Sequence, residues 1–218
     1  MSALAFTLVC VDCGKSYPGL DLRYRCDCGG TLDVLHDLST LRGRVRLESF
    51  DRRLGSKERI DRSGVWRFRE LILPLPASDI VTKPEGGTNL YRSESLASWV
   101  GIDDLSWKHE GENPTGSFKD RGMTVGITVA KKLGMKHVAC ASTGNTSASM
   151  ASYAAMAGMK AYVFIPEGQI AFGKLSQALA YGATTIQIEG DFDVAMKLVQ
   201  QACEARGVYL LNSINPFR

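Results

Sequence analysis

From residue 105 onward, short runs rich in β-branched and aromatic residues alternate with longer segments of helical period. The runs LSWKHE (105–110), HVACAS (137–142), KAYVFIP (160–166), TTIQIE (184–189) and VYLLNS (208–213) are bounded by glycine or turn residues and predict strands. Residues 119–133 set Met123, Ile127, Ala130 and Leu133 on one face, which predicts an amphipathic helix. Segments 145–157, 171–181 and 191–206 predict three more helices, and Gly158, Gly182 and Gly207 follow them as stop signals. Strand and helix alternating in this way predict an α/β fold with a parallel sheet and right-handed crossovers. In such a sheet ligands gather beyond the carboxyl ends of the strands. Three loops fall on that edge: EGENPTGSFK, ASTGNTSAS and the terminal LNSINPFR.

The earlier part of the chain has a different texture. Cys10 and Cys13 form C-x-x-C, and Cys26 and Cys28 form C-x-C followed by Gly29 and Gly30. Two close cysteine pairs can surround one tetrahedral zinc, and glycines beside them let the backbone turn sharply. A module of this size has little core, so a metal would supply much of its folding energy. Structural zinc on Cys10, Cys13, Cys26 and Cys28 is the expected use; a redox pair or unmetallated thiols are the alternatives. No H-E-x-x-H motif suggests catalytic zinc. Residues 42–69 cluster basic side chains with acids interleaved, the pattern of a solvated linker. The expected organisation is a zinc-ribbon-like module over 1–38, a linker with the first large-domain elements over 39–84, and an α/β region over 85–218.

Composition narrows the function classes. The chain is 44% hydrophobic and 22% charged, enough for one sizeable domain plus a small appendage. Twenty-six basic against 23 acidic residues leave a net charge of +3, too little to argue for nucleic acid. No run approaches the ~20 apolar residues of a membrane span. The first residues lack a basic n-region and lead straight into cysteines, so no signal peptide is expected. Six cysteines without a secretory signal suggest a reducing compartment, the cytoplasm.

The glycines exclude dinucleotide binding of the usual kind, because no two of the 22 stand two residues apart. Neither a complete Walker loop nor a G-x-S-x-G elbow occurs. What stands on the sheet edge is Lys119 at a helix start, where the helix dipole disfavours a cation. A dipole and partial burial together lower an amine's pKa and make it a usable nucleophile. In the next loop Ser142, Thr143, Asn145, Thr146, Ser147 and Ser149 can add side-chain donors to the outward N–H groups of a helix N-terminus, forming a carboxylate or phosphate cradle. The plain alternatives are that Asn145 or Thr146 merely caps the helix and that Lys119 is solvated. A neutral lysine beside an anion cradle instead suggests a Schiff base with a carbonyl cofactor. Pro114 and Gly116 supply the turn that would bring backbone close to it.

ENPTGSFKDRG followed by ACASTGNTSASMASYAAMAG, with YVFIPEG and LNSINPFR further on, resembles the threonine synthases among the fold-type II pyridoxal-phosphate enzymes. The likeness runs from about residue 64, firmly from 85, and the front cysteine module also occurs in members of that family. It implies that Lys119 holds pyridoxal phosphate and that Asn145 lies beside the cofactor's phenolic oxygen. It implies that Ser142, Thr143 and Thr146, with Asn145 alongside, take the substrate carboxylate, and that Asn212, Ser213 and Arg218 recognise the substrate phosphate. For these last three the alternative is a polar loop with a fraying arginine. The implied reaction turns O-phospho-L-homoserine and water into L-threonine and phosphate. Rivals are a fold-type II dehydratase or β-replacing synthase, and a non-catalytic zinc-ribbon binding module. The family's later glycine-rich loop for the cofactor phosphate is not in these residues, so the chain is expected to be the N-terminal part of a longer enzyme. An exposed sheet edge would then invite association, which admits a homodimer.

Overall fold

A computed structural model describes residues 6–168 and 172–218. Position 171, the first residue of the helix expected over 171–181, lies outside them, as do the first five residues of the cysteine module. In chain order the elements are β1 (Phe6–Cys10), β2 (Ser16–Pro18), β3 (Leu32–His36), α1 (Leu47–Leu54), α2 (Arg69–Ile72), β4 (Leu90–Arg92), α3 (Glu94–Val100), β5 (Ser106–Lys108), α4 (Lys119–Lys132), β6 (His137–Ala141), α5 (Asn145–Met156), β7 (Lys160–Pro166), α6 (Phe172–Ala180), β8 (Thr184–Ile188), α7 (Phe192–Arg206) and β9 (Tyr209–Leu210).

The main sheet is parallel, in the order β8-β7-β6-β9. Alternation along β6 divides its side chains. Val138 and Cys140 join a core with Met123, Ile127 and Ala130 of α4 and Met150, Tyr153 and Ala154 of α5. Ala139 and Ala141 face Ala195, Val199 and Cys203 of α7. The expected stripe on α4 is the buried face, with Leu133 partly covered at its end. Helix α5 is buried almost all round, which its small side chains permit because neighbouring backbones can approach closely. Gly158, Gly182 and Gly207 stand just past their helices at φ of 68°, 80° and 62°, the left-handed region that ends a helix without a Cβ penalty.

Two expectations need correction. The strand expected over 105–110 does not join the parallel sheet. Its core, β5, pairs antiparallel with β4, and Tyr91 stacks on Trp107 at 6.0 Å. Nor is the basic run over 42–69 wholly solvated. Trp66 is fully buried and its Nε1–H donates to Thr124 Oγ1 at 2.7 Å. Ser63 beside it donates to the fully buried Glu85, which also accepts from Thr82, Lys83 N–H and Tyr153 Oη. This end of the run is anchored on α4 and α5 and belongs to the core.

The cysteine module is a small antiparallel sheet, β2-β1-β3, with its thiols gathered at one end.

Candidate active site

Helix α4 begins at Lys119, and the loop before it is built to hold that position. Asn113 Oδ1 accepts from Gly86 N–H at 3.0 Å, while its amide donates to Glu110 O at 2.8 Å. Glu110 in turn takes a two-point contact from Arg121, at 2.9 and 2.8 Å, which holds its carboxyl below the usual range. Gly116 turns the chain at φ 77°, and Ser117 Oγ accepts the Lys119 N–H at 3.2 Å. Asp120 is fully buried and accepts from Thr115 N–H at 2.7 Å, Thr115 Oγ1 at 2.6 Å and Ser149 Oγ at 2.5 Å. Those three bonds fasten the lysine loop to the starts of both α4 and α5.

Lys119 itself is half-buried, with its Nζ 4.5 Å from the centre of the Phe118 ring. Among the described residues it forms no ion pair. Burial lowers the pKa of its amine, and the nearby Arg218 guanidinium lowers it further. This is the direction a nucleophilic amine needs.

The next loop is arranged differently from a simple cap. Gly144 holds the cap position of α5, and no side chain there accepts from the first turn, so neither Asn145 nor Thr146 caps the helix. Ser142 Oγ accepts from Gly144 N–H at 3.2 Å; Thr143 is half-buried and Asn145 is exposed. Thr146 Oγ1 accepts from Arg218 Nη2 at 2.6 Å. Ser147 and Ser149 turn inward, to Gly144 O at 2.7 Å and to Asp120, and so leave the cradle. Ser142, Thr143 and Asn145 therefore stand with an uncapped helix start, whose outward N–H groups favour an anion.

The third loop reaches the same place by its end alone. Buried Asn212 both accepts from Ala141 N–H and donates to Ala141 O at 2.9 Å, continuing the β6–β9 pairing by one side chain. Ser213 is exposed. Arg218 is brought to Thr146 because the segment from Leu211 lies against two glycines on α4. A Cβ on Gly122 would stand 2.8 Å from the Arg218 carbonyl carbon, and one on Gly126 would stand 2.6 Å from a Leu211 methyl. Sequence reasoning passed over Asp120, the two helix glycines, and Lys174. From α6, Lys174 Nζ donates to Thr115 O at 3.1 Å and lies 3.7 Å from where a Gly116 Cβ would be. The K-D-R-G spacing carried a signal for Asp120 and Gly122: a carboxylate in a helix's first turn, and a glycine two residues on.

The sequence signature of the family described as pyridoxal-phosphate dependent enzyme matches residues 81–218. The chain belongs to that family. It is 49% identical over 209 residues to the threonine synthase of Methanocaldococcus jannaschii, covering 96% of this chain and 50% of that protein. It is 47% identical over 214 residues to the threonine synthase of Methanosarcina acetivorans, covering 98% and 50%. The chain thus spans about half the length of these curated relatives. Among solved structures it is similar to maize serine racemase, with a TM-score of 0.52, 27% identity, and coverage of 57% of this chain and 38% of that one. A threonine deaminase of Solanum lycopersicum shares the fold, with a TM-score of 0.55 at 21% identity, covering 68% and 39%.

The family's cofactor is pyridoxal phosphate, and the residues present suit part of its site. An amine of lowered pKa, without an ion pair among the described residues, suits the aldehyde's chemistry, while an uncapped helix start and a guanidinium suit anionic groups. The cysteine cluster is a separate unit. The Sγ atoms of Cys10, Cys13, Cys26 and Cys28 all lie within 4.8 Å of one another, with separations of 3.5–3.6 Å across three pairs. Four thiolates about 2.3 Å from a tetrahedral zinc would stand about 3.8 Å apart. Tyr17 Oη lies 3.0 Å from the Cys26 sulfur and heads the causes that bring its thiol down to about 6.

Proposed function

We propose that the chain is the N-terminal portion of a threonine synthase, which converts O-phospho-L-homoserine and water to L-threonine and phosphate. The observation that carries this reading is the convergence of a half-buried Lys119 of lowered pKa with Arg218 and the open start of α5. The lysine suits covalent attachment of pyridoxal phosphate. Asn145 would stand beside the cofactor ring, and Ser142, Thr143 and Thr146 would receive the substrate carboxylate. Arg218, with Ser213, would take the phosphate; Asn212 would support that loop through its Ala141 bonds.

When bound, pyridoxal phosphate supplies an electron sink for negative charge developing beside the substrate's amino-bearing carbon. The chain's own residues do the rest. The Lys119 amine, its pKa lowered by burial and by Arg218, can take the proton from the substrate Cα and later return it, and the same amine can serve the Cβ proton whose loss precedes phosphate departure. A guanidinium on the phosphate stabilises charge as the Cγ–O bond breaks. Asp120, sealed inside by three donors, fixes the lysine loop.

The division into 1–38, 39–84 and 85–218 suits this reading, with the first unit a zinc ribbon on Cys10, Cys13, Cys26 and Cys28. All six cysteines are free, which suits the reducing cytoplasm. Among the described residues no helix is long and apolar enough to cross a membrane. A homodimer and a small-molecule substrate, without nucleic acid, complete the proposal.

The test is to incubate the full-length, cofactor-loaded enzyme separately with O-phospho-L-homoserine, L-threonine and O-acetylserine. Phosphate release with matching threonine formation, abolished by Lys119→Ala, is the expected result. Deamination of threonine as the main reaction would overturn the assignment.

A further inference from the structure

The cysteine module touches the α/β region at a point that bears on the site. Among the described residues β9 is an edge strand of the parallel sheet, and the Leu210 N–H and C=O on its outer side pair with no strand there. The N–H donates to Tyr24 Oη at 2.8 Å, and the C=O accepts from Asn215 Nδ2 at 2.8 Å. The Tyr24 ring leans on Tyr209 at 5.9 Å, and Phe6 of β1 meets Phe217 edge-on at 6.2 Å. On this side of β9 the Leu210 N–H is capped by a residue 186 positions earlier.

The rest of that junction is loose. A cleft of about 560 Å³ separates the module from α7, between Leu22 and Tyr24 on one side and Gln200, Glu204 and Val208 on the other. The Tyr24 hydrogen bond and the two aromatic contacts are therefore specific ties across this junction, beside the apolar cluster that the module shares with the α/β region. Both aromatic contacts fall on the stretch that ends at Arg218: Tyr209 and Phe217 are its two buried aromatic side chains. The stretch is pressed against Gly122 at one end and held by Tyr24 at the other.

We propose that Tyr24 is a positioning residue for the substrate-phosphate site: it clamps β9, and through the 211–218 segment it fixes where the Arg218 guanidinium stands. This rests on the reading of Arg218 as a phosphate ligand. Tyr24 touches neither substrate nor cofactor, so its loss should weaken substrate capture and leave the chemical step alone. Removing an acceptor from an edge N–H favours local opening by about five- to tenfold.

The experiment compares Tyr24→Phe, Arg218→Ala and the control Leu22→Ala in the full-length, cofactor-loaded enzyme. Steady-state kinetics with O-phospho-L-homoserine and amide hydrogen exchange over 209–218 are both read. Tyr24→Phe should speed exchange over 209–218 about five- to tenfold and should raise KM with kcat within twofold. Leu22→Ala should do neither. Unchanged exchange over 209–218 in Tyr24→Phe would overturn the clamp, as would a lowered melting temperature with KM unmoved while Arg218→Ala raises it. If Arg218→Ala leaves KM unchanged, the phosphate-ligand reading fails, and with it the role given to Tyr24 at the substrate site.

Discussion

Replacing Asp120 separates its two possible duties, holding charge and holding geometry. The side chain is fully buried and accepts three hydrogen bonds, from Thr115 N–H, Thr115 Oγ1 and Ser149 Oγ. Asp120→Ala would orphan all three donors. The two hydroxyls can rotate toward other acceptors, but the backbone N–H cannot, and a stranded buried donor costs about 1–3 kcal/mol. Adding the lost charge-assisted bonds and subtracting the relief of desolvating one carboxylate fewer, the net loss should be about 3 kcal/mol. Asp120→Asn should cost only about 1 kcal/mol, because its amide oxygen can take the Thr115 N–H while its NH₂ donates to the two hydroxyl oxygens. Urea denaturation of the full-length enzyme, with unchanged slope, measures both. Ser149→Ala should be nearly silent once Asp120 is alanine, since the partner is already gone. Equal losses for the two Asp120 variants, or full additivity with Ser149→Ala, would refute the idea that this carboxylate works as a three-way acceptor.

The glycines on α4 should differ in cost. Gly122→Ala meets Arg218 backbone at 2.8 Å and should cost about 2 kcal/mol and raise KM, whereas Gly126→Ala meets only a Leu211 methyl at 2.6 Å and should cost under about 1 kcal/mol in thermal denaturation. Arg218→Gln removes a positive neighbour of Lys119, so the amine's pKa should rise; the pH dependence of cofactor uptake by full-length apoenzyme should move upward, and a downward move would contradict the geometry. Glu112 has its pKa lowered to about 2, first by Asn89 N–H and then by Tyr91 Oη. A depressed carboxylate stabilises the fold above its ordinary pKa of about 4.3 and loses that contribution as pH falls toward 2. Trp107 fluorescence should report the β4–β5 ribbon loosening across that window, with Glu112→Gln flattening the change.

What could be read from the sequence were features set by neighbours in the chain. The stripe on α4, the glycine stops and the cysteine spacing each follow from local period or local chemistry, and the structure keeps all three. What could not be read was decided by partners far away. The 105–110 run alternates well enough for either sheet, and its partner β4 is a strand of only three residues, too short for a periodic signal. Trp66 looked like part of a charged linker because its partner Thr124 is 58 residues on. The serines of the α5 loop looked alike, yet Ser149 is drawn inward by Asp120, 29 residues earlier, while Ser142 stays at the mouth of the loop. Composition could identify a cradle of hydroxyls without saying which of them face the ligand.

The charge balance of the site explains why these residues sit so awkwardly. A cation opens α4, a guanidinium lies close enough to depress that cation's pKa, and the nearby start of α5 has no side-chain cap. The carboxylates that would ordinarily relieve such a field are committed elsewhere: Asp120 to its three donors, and Glu110 to Arg121 and Asn113. Folding therefore carries an unfavourable local term that a cap or one more acid would remove. The chain as a whole is only slightly basic, at +3, so the positive field is a feature of this corner and not of the surface in general. A site held in that state is favourable for ligands bearing phosphate and carboxylate, because each anion that enters relieves repulsion already built into the fold. Burial and, after it, the same repulsion lower the pKa of the Lys119 amine, so the feature that costs stability also prepares the nucleophile.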